Sequence, residues 1–247
     1  MNKPSVLIAT PAYGGQFTSQ YMLSIVPTLS WLEHSGYTYQ FYNISNESLI
    51  PRARNQCAWF SIANGPDGQP FDKLLFIDSD MGWKHEDVKM LLESDKRVVG
   101  GAYPGKRYPI EIMANALLKD RGLFGAKRSV EELHALRDAK ANTRGEVEMH
   151  HIPTGFMCID TKVLIDLMPH VEHYRGVEHK TQQQVLMWDF FPIGVAPVPG
   201  EPLGEYESED WAFCSLVRKH LDCGVWLNSH VITTHTGTHV FKAGHVG

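Results

Sequence analysis

Short apolar runs alternate with segments of helical periodicity from the start of the chain to residue 102. The runs are typical of strands buried on both faces, and the segments between them repeat apolar residues every three or four positions. This alternation predicts an α/β fold in which helices flank a mostly parallel central sheet. The predicted strands are 6–9, 37–44, 74–77 and 97–102, and a loop covers 10–15. Of the three predicted helices, the first has Thr18 or Ser19 as its cap, the second runs from Pro51 to Asn64 and the third covers 88–92.

The second half of the chain has a less regular pattern. Residues 115–142 are polar and predict an inserted helical segment, in which Ser129 opens a capping-box motif. Residues 195–204 are rich in proline and glycine and predict a loop. The other predicted elements are strands at 146–151 and 155–160, a short helix at 162–168, and a helix from Glu209 to near 221 that Ser208 caps.

Composition and charge limit the range of functions. The chain has 247 residues, of which 43% are hydrophobic and 21% are charged, as in an ordinary globular domain. Its formal net charge of −5 gives no overall basic surface for nucleic acid or acidic membranes. The four cysteines form no Cys-x-x-Cys pair, which indicates reduced thiols rather than a zinc site or a disulfide framework. The sequence shows no signal peptide and no membrane span, so we expect a cytoplasmic protein, in the host cytoplasm if a virus or phage encodes it.

The most informative chemical signal follows the third predicted strand. Asp78 and Asp80 stand one residue apart at its carboxyl end, the edge where open α/β sheets bind their ligands. Two carboxylates crowded there repel each other unless a cation lies between them, and a divalent metal that bridges substrate phosphates would supply it. The alternative is turn chemistry, with Asp80 capping the helix that begins near Lys84.

Two further positions offer carboxylate and imidazole groups. Glu209 and Asp210 open a helix, where acids complement the helix dipole, or where one of them serves as a general base at a pocket edge. His235 follows a β-branched run that opposes a helix, which argues against a zinc-protease motif. It is either a surface histidine or a ligand at the end of a strand, sharing a metal with Asp78 or Asp80.

Arg52, Arg54 and Asn55 open the second helix. Positive charge at a helix start works against the helix dipole, so a stabilising role is hard to assign. These residues are either solvent-exposed or bind an anionic diphosphate, onto which arginine forks well. The usual dinucleotide and P-loop glycine patterns are absent from the sequence.

Seven short segments in a fixed order span nearly the whole chain. They are Thr10-Pro11-Ala12-Tyr13, Arg52-Ala53-Arg54-Asn55, Phe76-Ile77-Asp78-Ser79-Asp80, Val98-Val99-Gly100-Gly101-Ala102-Tyr103-Pro104, Pro153-Thr154-Gly155-Phe156-Met157, Ser208-Glu209-Asp210-Trp211-Ala212-Phe213-Cys214 and His235-Thr236-Gly237. In this order and spacing the chain resembles the GT-A glycosyltransferases, most closely the compact single-domain members related to family 2. The resemblance implies one Rossmann-like domain over 1–247, with a nucleotide-binding half at 1–105 and an acceptor-binding half at 106–247.

The resemblance also implies ligands and roles. The donor would be a nucleotide-diphosphate sugar, a UDP- or GDP-sugar, with Mn²⁺ or Mg²⁺ as cofactor. The donor-binding residues would be Thr10, Pro11, Ala12 and Tyr13 at the base and ribose, Arg52, Arg54 and Asn55 near the base or diphosphate, and Asp78 and Ser79 in the Asp-x-Asp motif. The metal ligands would be Asp80 most directly, Asp78 nearer the ribose or a metal-bound water, and His235.

On the acceptor side, the resemblance implies that Asp210, or less directly Glu209, deprotonates a hydroxyl in an inverting displacement. Acceptors in compact members of this kind range from glycans to modified nucleobases. Two other functions stay open at this point. One is a sugar-phosphate nucleotidyltransferase, although Gly14-Gly15-Gln16 is a poor substitute for the glycine-rich basic loop of that class. The other is a nucleotide-sugar-binding module without turnover.

Overall fold

The computed structural model describes residues 3–106, 115–116, 130–197, 200 and 202–237. The strands in that part of the chain are β1 (Val6–Ala12), β2 (Tyr39–Ser45), β3 (Lys73–Ile77), β4 (Met81–Gly82), β5 (Val98–Ala102), β6 (Asn115–Ala116), β7 (Glu146–His151), β8 (Phe156–Asp160), β9 (His173–Val177), β10 (Gln184–Trp188), β11 (Gly194–Ala196), β12 (Glu205–Glu207), β13 (Val225–Ile232) and β14 (Thr234–His235). The α-helices are α1 (Ser19–His34), α2 (Ile50–Ala63), α3 (His85–Leu92), α4 (Val130–Lys140), α5 (Thr161–Leu167) and α6 (Glu209–His220).

Eight of the described strands form one sheet, in the order β2-β1-β3-β8-β5-β13-β7-β6. Parallel pairing joins β1 to β2 and β3, and β13 to β5. Only β8 and β7 oppose this direction within the described sheet, because each pairs antiparallel with both of its neighbours. The predicted α/β class with a mainly parallel sheet is therefore confirmed.

The strand β3 shows why its sequence reads as a continuous apolar run. Leu74 and Phe76 pack into the cluster on one face of the sheet, whereas Leu75 and Ile77 pack into the cluster on the other. All four side chains are fully buried. Because successive side chains in a strand point to opposite faces, burial of both faces explains why residues 74–77 are all apolar.

Strands from the two predicted halves of the chain interleave in one sheet, and the assignment of the halves to nucleotide and acceptor stays a prediction. β8, from the second half, lies between β3 and β5 of the first half, and β13 pairs with the far side of β5. This interleaving places the ends of β3, β5 and β13 near one another. Residues distant in the sequence therefore meet at the carboxyl edge of the sheet.

Several predicted elements need correction. β1 continues to Ala12, so Thr10, Pro11 and Ala12 belong to a strand paired with β2 rather than to a loop. The predicted helical segment at 115–142 begins instead with β6, whose Asn115 pairs with His151 at the sheet edge. Its helix is α4, while Ser129 lies outside the described residues. The first two residues of the predicted loop at 195–204 belong to β11, which pairs with β12.

Strands β9 and β10 form a hairpin that the hydrophobic pattern does not reveal. Its side chains are mostly exposed or half-buried, so the strands lack a buried apolar run. No helix among the described residues has the length and apolar character needed to cross a membrane.

Gly101 allows β5 and β13 to approach closely. A Cβ atom at this position would lie 2.3 Å from Cγ1 of Val231, where the pairing register of β13 shifts. Three residues after Val231 the chain enters β14, which pairs with β4. This contact therefore helps to direct the C-terminal segment towards the end of β3.

Replacing Gly101 by Ala is expected to lower the free energy of unfolding by about 1–3 kcal/mol, because the added methyl group overlaps Val231. Gly194→Ala is the matched control, since a Cβ at this strand glycine has open space around it. The control should leave stability unchanged or raise it by up to about 1 kcal/mol. Denaturant titration measures both variants, and equal stability of the two would contradict the packing argument.

Candidate active site

A cavity of about 200 Å³ opens at the carboxyl edge of the sheet. It lies where β1, β2 and β3 end and where α2 begins, the position at which open α/β sheets bind ligands. Its lining combines apolar residues with carboxylates. The lining residues are Pro11, Ala12, Tyr13, Ile44, Glu47, Ser48, Ile50, Ala53, Asp78, Ser79 and Asp80.

Five of the nine residues predicted to bind the donor line this cavity, namely Pro11, Ala12, Tyr13, Asp78 and Ser79. Thr10 is not among the lining residues. Thr10 is fully buried and its hydroxyl contacts the phenol of Tyr21 at 2.6 Å. Ser79 lies at the cavity edge, and its carbonyl accepts the backbone N–H of Thr18 at 3.0 Å. Tyr13 is largely exposed, with 71% of its surface accessible. A side chain this exposed is free to cover a ligand.

Arg52 and Asn55 lie on a second cavity, of about 300 Å³, together with Tyr174 and Asp189. Arg52 donates two hydrogen bonds to Glu47, at 2.5 and 2.7 Å, and is half exposed. The side-chain amide of Asn55 donates to Asp189 at 2.7 Å and its oxygen accepts the N–H of Phe191 at 3.1 Å. Asn55 therefore holds the residues that follow β10 in place. Its contact with a donor nucleotide stays a prediction.

Arg54 lies between two carboxylates at the centre of the site. Its Nη2 donates to both oxygens of Asp78, at 3.0 and 3.3 Å, and its Nε donates to Glu209 at 3.2 Å. The guanidinium group stacks over the ring of Phe76 with a distance of 5.2 Å to the centroid. Arg54 is only 3% exposed, and burial alone would lower its pKa, but the two carboxylates outweigh burial and raise the pKa. The guanidinium is permanently charged.

The backbone around Asp78 is equally constrained. Its N–H donates to the carbonyl of Gly155 at 2.9 Å, which links the end of β3 to the start of β8. A Cβ at Gly155 would lie 2.8 Å from Oδ2 of Asp78 and 3.0 Å from the Tyr103 hydroxyl oxygen. Glycine is therefore needed at this position for the chain to pass beneath the Asp78 carboxylate.

Asp80 meets His235 although the two are far apart in sequence. Nε2 of His235 lies 3.4 Å from Oδ1 of Asp80, and the backbone N–H of Thr236 donates to the Asp80 carbonyl at 2.9 Å. The other ring nitrogen, Nδ1, donates to the carbonyl of Pro104 at 2.9 Å, because a carbonyl can only accept. That bond leaves a lone pair on Nε2 facing a carboxylate unless a cation, either a proton or a metal ion, binds between them.

Lys106 is a third group at Asp80, and sequence reasoning missed it. Its ammonium group contacts Oδ2 of Asp80, on the side away from His235. Burial alone would raise the pKa of Asp80, but hydrogen bonds and charge from His235 and Lys106 outweigh it and lower the pKa to about 2. Asp80 is therefore ionised at any physiological pH.

The alternative role of Asp80 as a helix cap is wrong. The cap residue of α3 is Lys84, whose backbone N–H donates to the carboxylate of Asp87 at 2.8 Å. Asp80 lies four residues before the cap, in the turn between β3 and β4. A carboxylate held there by a histidine and a lysine faces the cavity rather than the helix.

Asp210 is the carboxylate on the other side of the site. It accepts hydrogen bonds from the Ser208 hydroxyl and, at 2.9 Å, from the backbone N–H of Trp211. Burial, followed by the negative charge of Glu209, raises the pKa of Asp210 to about 6. Ser208 does occupy the cap position of α6, but its hydroxyl donates to Asp210 instead of accepting from the helix. A carboxylate with this pKa suits proton abstraction near neutral pH.

A packed group of side chains behind Asp210 holds the first turn of α6 in place. The Trp211 ring stacks on His151 with 4.8 Å between centroids and 4° between planes. Nε2 of His151 lies 3.1 Å from the Ser215 hydroxyl, which donates to Glu207 at 2.6 Å. Burial is the main cause that lowers the pKa of His151 to about 3, so the ring is neutral.

The described residues contain no group of three or more His, Cys, Asp or Glu side chains arranged to hold a metal ion. Asp80 and His235 still fit part of such a site, since a carboxylate and the Nε2 of a fixed imidazole are ordinary ligands of Mn²⁺. Divalent cations that act on phosphates usually take the remaining ligands from phosphate oxygens and water. Asp78 is engaged by Arg54, and its role as a metal ligand stays a prediction.

The site thus brings Arg54, Asp78, Asp80, Glu209 and His235 together. Asp210 adjoins them on α6. Glu47 was missed because its sequence context is polar and irregular, and the structure alone places it between Arg52 and the cavity.

Comparisons with known proteins bear on the fold. No family model matches the sequence, and no curated protein matches it. The crystal structure of GalNAc-T7 with UDP, GalNAc and Mn²⁺ is similar, with a TM-score of 0.52 and 9% sequence identity. The superposition covers 95% of this chain but only 44% of that chain, so this chain spans less than half the length of its neighbour. The likeness shows the fold alone, a GT-A-like single domain.

Replacing Arg54 by Met is expected to lower the free energy of unfolding by about 3 kcal/mol, because Asp78 and Glu209 lose the buried cation between them. Arg52→Met is the matched control on the same helix. Because 52% of the Arg52 side chain is exposed, water screens its ion pair with Glu47, and we expect a loss below about 1 kcal/mol. Denaturant titration at pH 7 measures both variants. Similar losses in the two would refute a central ionic role for Arg54.

Proposed function

We propose that the protein is a metal-dependent glycosyltransferase. It moves a hexosyl group from a UDP- or GDP-sugar to a hydroxyl group of a glycan or similar acceptor, with inversion at the anomeric carbon. The observation that carries the proposal is the meeting of Asp80 with His235 at the carboxyl edge of a GT-A sheet. GalNAc-T7, the structurally similar protein, was crystallised with UDP, GalNAc and Mn²⁺, which supports this choice of ligands.

In this proposal the donor nucleotide occupies the cavity at the ends of β1 and β3. Pro11, Ala12 and Tyr13 border the base and ribose, and Asp78 lies towards the ribose while it remains paired with Arg54. The diphosphate extends towards Asp80 and His235. When bound there, a divalent cation neutralises the charge that develops on the departing nucleoside diphosphate.

Asp210 and Glu209 differ in their availability as bases. The Oε1 atom of Glu209 accepts a hydrogen bond from Nε of the buried Arg54, so this carboxylate already has a partner within the protein. Asp210 has a raised pKa of about 6 and keeps its second oxygen, Oδ2, for a substrate. It would take the proton of the acceptor hydroxyl while the new oxygen–carbon bond forms. The electron pair of the old bond leaves with the diphosphate oxygen.

Replacing Asp80 by Asn is expected to abolish Mn²⁺-dependent binding of UDP or GDP, because the anionic ligand opposite His235 is lost. Calorimetry with each nucleotide, with and without Mn²⁺, measures the effect. The wild type should also release nucleoside diphosphate slowly from one member of a panel of UDP- and GDP-sugars.

Asp95→Asn is the matched control, since that carboxylate is on the surface with 70% of its side chain exposed. It should bind nucleotide as the wild type does. Normal binding by the Asp80 variant, or no binding and no hydrolysis of any nucleotide sugar by the wild type, would contradict the proposal.

The transfer rate should depend on the ionisation of Asp210. With a pKa of about 6, the carboxylate is mostly protonated at pH 5, so kcat should be roughly tenfold lower there than at pH 7. Asp210→Asn should lower kcat at least about 100-fold and remove this pH dependence. The same variant should bind nucleotide and Mn²⁺ normally, because Asp210 is placed on the acceptor side. A variant with wild-type kcat would rule out Asp210 as the base.

A further inference from the structure

Lys106 contacts both the proposed metal site and the C-terminal segment. Its ammonium group contacts Oδ2 of Asp80, while its methylene stem lies along the backbone of Gly237. A Cβ at Gly237 would approach three carbon atoms of the Lys106 side chain within 3.3–3.4 Å. A side chain at position 237 would therefore press on the lysine stem, which would have to shift by a few tenths of an ångström.

The segment that carries Lys106 is bound to the segment that carries His235. Pro104 accepts the Nδ1–H of His235, and the Tyr103 ring packs edge-on against the same imidazole at 5.0 Å between centroids. The segment 103–106 and the segment 235–237 thus contact each other at Tyr103, Pro104 and Lys106. Both segments close over Asp80, whose backbone carbonyl also accepts the N–H of Thr236.

These contacts leave Asp80 with a cation supplied by the chain itself. One carboxylate oxygen faces Nε2 of His235 and the other faces the Lys106 ammonium group. Lys106 keeps 39% of its side chain exposed, so it is not locked in place by packing. A lysine side chain has a flexible stem of four carbons and can withdraw when a stronger cation arrives.

We propose that Lys106 competes with the divalent metal for Asp80, so that metal binding requires Lys106 to leave the carboxylate. This inference rests on the proposed function, because it assumes that Asp80 and His235 hold the metal. The displaced ammonium group lies on the open side of the site, where the phosphates of a bound nucleotide would accept it. Lys106 therefore lowers the affinity of the free protein for metal and favours metal that enters together with a nucleotide.

The experiment measures Mn²⁺ affinity of the full chain without nucleotide, by the electron paramagnetic resonance signal of free Mn²⁺. Lys106→Met should bind Mn²⁺ about three- to tenfold more tightly than the wild type, because an ion pair is lost and a repelling charge is removed. Lys106→Arg keeps the charge and should stay near the wild type. Lys89→Met, which breaks a surface pair with Glu93, is the matched control and should change nothing.

The outcomes separate this inference from the proposed function. If Lys106→Met binds Mn²⁺ no more tightly than the wild type, Lys106 does not compete with the metal and this inference is wrong. The metal site would still be supported in that case if Asp80→Asn binds no Mn²⁺. An equal gain in Lys106→Arg would also overturn the inference, since the charge would then be irrelevant. If no form of the protein binds Mn²⁺, with or without UDP, the metal site of the proposed function fails and this inference fails with it.

Discussion

The buried guanidinium of Arg54 determines how the acidic residues of the site are used. It is 3% exposed and makes ion pairs with Asp78 and Glu209, which are far apart in the sequence. Two carboxylates this close would repel each other strongly in a partly desolvated site. With Arg54 between them they form a stable pair of anions around one cation. This arrangement leaves Asp80 and Asp210 as the carboxylates available for ligands.

The division of roles follows from where each carboxylate lies. Burial would raise the pKa of Asp80, but its contacts with His235 and Lys106 lower it to about 2 and keep the carboxylate ionised, as a metal ligand would need to be. Asp210 has a carboxylate neighbour and a buried position, which raise its pKa to about 6. The surroundings of Asp80 favour the charged carboxylate, whereas those of Asp210 favour the neutral acid. Pairs of acids whose pKa values are driven apart in this way are typical of sites that bind an ion and move a proton.

Much of this arrangement could be predicted from the sequence, for identifiable reasons. Asp78 and Asp80 follow a continuous apolar run, which only a strand covered on both faces requires, so their place at the sheet edge was predictable. His235 could be assigned to a strand end because β-branched residues precede it. Both predictions depend on the local sequence pattern and on the general rule that open α/β sheets bind ligands at the carboxyl ends of their parallel strands.

The remainder depends on the order of strands, which the local pattern does not encode. Lys106 reaches Asp80 and touches Gly237 only because β13 lies beside β5. Arg52 and Arg54 look alike in the sequence, yet residues two apart on a helix point about 200° apart. One arginine therefore faces the buried site and the other faces Glu47 near the surface. Nothing in the local sequence says which of the two turns inward.

A crystal structure of the protein with Mn²⁺ and UDP or GDP would test the central claim most directly. The account predicts a metal ion bound by a carboxylate oxygen of Asp80 and by Nε2 of His235, with the nucleotide phosphates completing the shell. Asp78 should remain paired with Arg54 at a distance near the 3.0 Å seen here. A metal ion bound without Asp80 and His235, or a nucleotide complex in which Arg54 no longer pairs with Asp78, would contradict the account.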